Sequence, residues 1–150
     1  MNTIDTSTRI LVGVDGSGPS IDALRRAATI AAVLDAPIEA VITWDYPAML
    51  GMYDTVEVWS PENEAKTILD EAIDKAFPDG PPARLTRLVR RGPAARVLIE
   101  ESANAYLLVL GSRGHGGFTG LLLGSVSAAC AEHAQCPVLI MHKPKAEAVG

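Results

Sequence analysis

The runs Leu107-Leu108-Val109-Leu110 and Val138-Leu139-Ile140-Met141 are apolar at every position. A strand of that kind needs cover on both faces, which is the condition of a strand inside a parallel sheet. Three further runs are rich in branched apolar residues, at Arg9–Asp15, Ile38–Trp44 and Arg84–Arg90, and the two apolar ones extend to Tyr106–Gly111 and Pro137–His142. Between the five lie stretches with helical spacing. The first follows Gly16-Ser17-Gly18-Pro19 and carries Ile21, Leu24, Ala28 and Ala31. The second opens with Ser60-Pro61, a capping serine before a proline at the first helical position, and carries Ala65, Ile68, Leu69, Ala72 and Ala76. The third opens with Gly92-Pro93 and carries Val97, Leu98 and Ala103; the fourth carries Val126, Ala129, Cys130 and His133. Strands alternating with helices predict an α/β domain with a parallel sheet and right-handed crossovers.

A chain of 150 residues, 48% apolar and 21% charged, is expected to form one domain over 1–150 with its core at about 8–143 and loose ends outside it. Its net charge of −5 and pI near 5.1 argue against nucleic acid as the principal partner. The N-terminal MNTIDTSTR has no apolar stretch of a secretory signal, and no window resembles a membrane span. Cytoplasm is the expected location. Cys130 and Cys136 belong to no metal or disulfide pattern and read as packed thiols. His133 and His142 lack a second ligand at metal spacing, so no metal ligands are assigned. Arg84, Arg87, Arg90 and Arg91 sit in or beside the third run. They suit an edge strand guarded by charge better than a patch for an anionic partner.

The chemistry concentrates at one connection. Residues 111–125 read GSRGHGGFTGLLLGS, a glycine-rich segment between a strand and a helix start. Such a segment can cradle phosphate, because glycines allow close backbone approach and the helix start offers unpaired N–H groups. It is also longer than the two to six residues such a connection usually takes. No lysine follows its glycines as a P-loop requires, and the glycines of Gly13-Val14-Asp15-Gly16-Ser17-Gly18 are out of register for a dinucleotide fingerprint. Ligands of such sheets bind beyond the C-terminal strand ends, where connections diverge. Asp15, at the exit of the first strand, is placed there to accept from a ribose hydroxyl or help hold a metal ion. It is equally suited to cap the next helix.

The spacing Gly111-Ser112-Arg113-Gly114, nine residues, then Gly124-Ser125 resembles the G-x2-G-x9-G-[ST] signature of the universal stress protein family. The GVDGS turn, the CPVLI strand and the order of elements are similar to that family along essentially the whole domain. The resemblance implies a single-domain Rossmann-like sandwich: a five-stranded parallel sheet of order 3-2-1-4-5 with two helices on each face. It implies an adenine nucleotide as ligand, ATP as cofactor with Mg as an optional companion, and a homodimer through the Pro137–His142 strand. Carried over by position, Asp15 contacts the ribose, and Gly13 and Val14 flank sugar and base. Thr43, with Val41 and Trp44 as alternatives, meets adenine. Leu110 and Gly111 lie along the nucleoside, and Gly114, Gly124, Ser125, Val126 and Ser127 hold the phosphates. Arg113 adds charge, as His115 would.

On this reading the chain is an ATP-binding, cytoplasmic stress-response regulator with no assigned catalytic residue. Two alternatives stand beside it: a slow ATPase or nucleotidyl-handling enzyme, and an interaction module with a structural nucleotide. For the second, the apolar segment Tyr46–Trp59 and the last strand would be the working surfaces.

Overall fold

The computed structural model describes residues 8–46, 60–112 and 123–142. Its elements are β1 (Ile10–Gly13), α1 (Gly18–Leu34), β2 (Ile38–Trp44), α2 (Pro61–Ala76), β3 (Leu85–Arg91), α3 (Ala94–Ser102), β4 (Leu107–Gly111), α4 (Ser125–His133) and β5 (Val138–Met141). All neighbouring strands pair in parallel, in the order β3-β2-β1-β4-β5. The expected alternation and strand order are both present. The topology changes direction between β1 and β4, and that switch point locates the crevice.

The two faces of the sheet bury separate apolar clusters. Ile10, Val12, Ala40, Ile42 and Val109 point to one side, against Leu24 and Ala27 of α1 and Leu69 and Ile73 of α2. Leu11, Val41, Leu108 and Leu110 point to the other, against Val97 and Leu98 of α3 and Cys130 of α4. The period-two alternation of each strand therefore feeds both clusters, and β1 is buried throughout from Ile10 to Val12. On α1 the buried stripe is Ser20, Ala23, Leu24, Ala27 and Ala31, with the expected Ile21 and Ala28 at its half-buried margin. Ala103 and His133, expected on apolar helix faces, are exposed at helix ends.

Helix starts follow their sequence signals. Ser60 caps α2 by accepting from the Asn63 amide at 3.2 Å, with Pro61 at the first helical position. Pro93 stands at the cap position of α3.

β3 is an edge strand, as its arginines suggested, and each arginine has an acidic partner. Arg84 pairs with Asp35 at 3.3 Å, Arg87 with Asp70 at 2.9 Å and Arg91 with Asp45 at 3.2 Å, while Arg90 reaches both Glu100 and Glu101. Their charge is answered locally, as suits an edge strand guarded by charge. Among the described residues no helix is long and apolar enough to cross a membrane.

Candidate nucleotide site

β1 ends at Gly13, opposite Val41 of β2, and the Val14 amide extends the pairing by donating to the Val41 carbonyl at 2.8 Å. The chain then turns through Gly16, whose φ of +85° is a backbone state that favours glycine. The turn is closed by its own side chains. Asp15 Oδ1 accepts from the Ser17 amide at 2.9 Å and from the Ser17 hydroxyl at 2.5 Å. Ser17 is the N-cap of α1, accepting from the Ser20 amide at 3.4 Å, and the Ser20 hydroxyl donates back to the Ser17 carbonyl at 2.9 Å. Asp15 is thus not the helix cap; it holds the residue that is. Its side chain stays at the exposed strand exit.

The other wall is built by β4 and α4. Leu110 is buried, and Gly111 lies opposite Met141 of β5. Buried Ser112 follows, its amide donating to the Met141 carbonyl at 2.8 Å. The Ser112 carbonyl accepts twice, from the Gly124 amide at 2.6 Å and from the Ser127 hydroxyl at 2.8 Å. Both ends of the glycine-rich connection therefore meet at one carbonyl. α4 starts with Gly124 at its cap position and, among the described residues, no side-chain cap; its first helical bond runs from the Ala128 amide to the Gly124 carbonyl at 2.9 Å. The amides of Ser125, Val126 and Ser127 precede that bond and have no acceptor inside the helix. Ser125 is exposed, Val126 half-buried and Ser127 buried.

The Gly124 amide and the Ser127 hydroxyl face Ser112, so the outward donors at this helix start are the three following amides and the Ser125 hydroxyl. Arg113 and Gly114 lie outside the described residues, as does most of the Tyr46–Trp59 segment.

Gly13 and Gly111 are each closely packed by the protein itself. A Cβ on Gly111 would stand 2.7 Å from Pro19 Cβ and 2.9 Å from the Pro19 carbonyl carbon. One on Gly13 would stand 2.5 Å from Leu110 Cδ2. The exit of β4 thus packs directly on the first turn of α1, and this close approach sets the two walls side by side.

β2 continues past the end of its pairing with β1, so Thr43 and Trp44 rise above the floor of the crevice. Thr43 follows Val41 in strand alternation, toward the α3–α4 side; Trp44 packs on the α1–α2 cluster. Sequence reading did not foresee the cap over this end. The Arg91 guanidinium lies 5.5 Å from the Trp44 ring centre and 5.1 Å from that of Tyr46, and the two rings meet edge to face at 5.6 Å. The Tyr46 amide and then Arg91 hold the Asp45 carboxyl below its usual range. The Trp-Asp-Tyr run was the available signal. A separate open cleft of about 170 Å³ lies between Asp15, Gly16 and Ile21 and the α2 residues Ile68, Glu71, Ala72 and Lys75; none of its lining residues belongs to α4.

Among the described residues the site offers amide and hydroxyl hydrogen-bond donors. Both cysteines are free, packed in the α3–α4 cluster, and burial, followed by the neighbouring Cys136, pushes the Cys130 thiol up to about 11. Such a thiol is protonated at neutral pH and inert. A helix start with no side-chain cap among the described residues, after β4, and an exposed carboxylate at the exit of neighbouring β1 suit a ligand with phosphate at one end and hydroxyls at the other.

Comparison with known proteins bears on that fit. A family model described as the universal stress protein family matches residues 6–142. The chain belongs to the universal stress protein family. It is similar to a universal stress protein of Mycolicibacterium smegmatis, 33% identical over 145 residues, with 91% of this chain and 46% of the relative covered. A universal stress protein of Methanocaldococcus jannaschii is 31% identical over 144 residues, covering 93% of this chain and 84% of the relative. The chain thus spans about half the length of the first relative and most of the second. Among solved structures, a universal stress protein in complex with cAMP superposes with a TM-score of 0.69 at 28% identity, over 91% of this chain and 98% of the other. The fold and the family expected from the glycine spacing are those observed.

Proposed function

We propose that this universal stress protein binds an adenine nucleotide, ATP in the first instance, between the β1 exit and the start of α4. The observation that carries the proposal is the first turn of α4, with no side-chain cap among the described residues and the amides of Ser125, Val126 and Ser127 ahead of the first helical bond. A helix start with free N–H groups and a positive dipole end suits phosphate oxygens. The similar protein in complex with cAMP supports the adenine nucleotide as ligand class. In this reading Asp15 accepts from the ribose, Gly13, Val14, Leu110 and Gly111 line the nucleoside, and Thr43 borders adenine. Gly114, Gly124, Ser125, Val126 and Ser127 surround the phosphates, with Arg113 adding charge and Mg accompanying the triphosphate. Here Gly124 and Ser127 contribute through their backbone positions.

The nucleotide-bound protein is read as a cytoplasmic stress-response regulator, one domain with its core at about 8–143, dimeric through the Pro137–His142 strand. Regulation is preferred to turnover because Asp15 Oδ1 is already engaged by Ser17 and each arginine of β3 by an acid.

Titration calorimetry of the full chain with ATP, with and without Mg, tests the proposal. Saturable binding of one nucleotide per chain is expected; no heat of binding at millimolar ATP overturns it.

A further inference from the structure

The resemblance treats Ser125 and Ser127 alike, as neighbours of phosphate, but the structure gives them different surroundings. Ser127 is 3% exposed. Its hydroxyl lies 2.8 Å from the Ser112 carbonyl and 3.1 Å from the Gly124 carbonyl, both as acceptors. A hydroxyl has one proton to donate, so that proton is directed at backbone oxygen. Ser125, two residues earlier, is exposed. Residues two apart on a helix do not share a face.

The Ser112 carbonyl is the point on which the arrangement turns. It receives the Ser127 hydroxyl and the Gly124 amide, while the Ser112 amide is bound to the Met141 carbonyl of β5. β5, the exit of β4 and the first turn of α4 are thereby linked through one residue. A helix start can direct its amides at a ligand only if its position relative to the strand exit is fixed.

We propose that Ser127 is a positioning residue that ties the first turn of α4 to the Ser112 carbonyl and does not give its own hydroxyl to phosphate. The inference rests on the nucleotide reading for its second half; the tie itself belongs to the ligand-free protein. Loss of the Ser127 hydroxyl leaves the Ser112 carbonyl with the Gly124 amide alone and frees the turn to shift. Loss of the Ser125 hydroxyl leaves the turn in place.

Amide hydrogen exchange of the ligand-free full chain by NMR, paired with calorimetry for ATP and adenosine, separates the roles. Ser127→Ala is expected to quicken exchange at Gly124 about tenfold while exchange at β1 and β2 stays unchanged, and to weaken ATP about tenfold with adenosine within about twofold. Ser127→Thr keeps the hydroxyl and is expected to restore both. Ser125→Ala is expected to leave Gly124 exchange as in the parent. Unchanged Gly124 exchange in Ser127→Ala overturns the tie. So does exchange that rises equally across the sheet, which would mean general destabilisation. Equal loss of ATP and adenosine in Ser127→Ala overturns the phosphate-positioning role. If the parent protein binds neither compound, the nucleotide reading fails, and the Gly124 exchange result decides the tie by itself.

Discussion

Helix α1 begins with a side-chain cap, whereas α4, after the neighbouring strand β4, begins with a glycine and has no side-chain cap among the described residues. At α1 the Ser17 side chain accepts from the Ser20 amide, and Asp15 holds Ser17 through both its amide and its hydroxyl. At α4 the cap residue is Gly124, and the side chains near it turn inward to Ser112 or outward to solvent. Two helix starts with the same dipole therefore differ in what they can offer a ligand. Dipole direction alone does not make an anion site; the absence of an internal acceptor does. Asp15 sharpens the contrast, since a carboxylate at the α1 start already supplies the negative charge that its dipole favours.

The largest expected effect comes from making α4 resemble α1. In Gly124→Asp the new carboxylate would cap the first turn, and Gly124, at φ −71°, has a backbone that any residue adopts. Aspartate is a better cap than glycine by a few tenths of a kcal/mol. Its charge and its occupation of the amides would oppose phosphate, lowering ATP affinity by about a hundredfold. A urea midpoint held or raised, together with ATP affinity lost in calorimetry, is the expected pair of results. If affinity survives, the start of α4 is not the phosphate site.

The next effect concerns what holds the two starts together. Gly111→Ala would place a Cβ 2.7 Å from Pro19 Cβ and 2.9 Å from the Pro19 carbonyl carbon. Backbone cannot rotate aside as a side-chain end can, so the exit of β4 and the first turn of α1 must separate. A loss of about 1–3 kcal/mol in urea unfolding is expected. A loss below about 0.5 kcal/mol would show that the contact is soft and that Gly111 serves the ligand rather than the packing.

Much of this was legible in the chain. Continuously apolar runs between helix-spaced stretches announced the parallel sheet, and Ser60-Pro61 announced the start of α2. The spacing of Gly111, Gly114, Gly124 and Ser125 led to the family. What the chain did not disclose is which partner satisfies each polar group. Asp15 could equally have been a cap or a ligand contact, because both need a carboxylate at a strand exit; only the fold showed Ser17 in the cap position. The close packing of Gly13 on Leu110 and of Gly111 on Pro19 was hidden, because those neighbours are distant in sequence. For Ser125 and Ser127 a signal was present and unused: their spacing on a helix already forbids a common face.

The smallest effect tests the closed start itself. Ser17→Ala removes the cap of α1 and the hydroxyl bound by Asp15, while the Ser17 amide can still donate to Asp15. Loss of such a cap costs about 1 kcal/mol, which urea unfolding can resolve. Freed from the hydroxyl, the Asp15 carboxylate gains a lone pair for a ribose hydroxyl, so adenosine and ATP should shift together and by the same factor. Their affinity ratio is the informative quantity, because the phosphate end does not involve α1. A change in that ratio would mean that the α1 start also meets phosphate, and the distinction between the two helix starts would then be one of degree rather than of role.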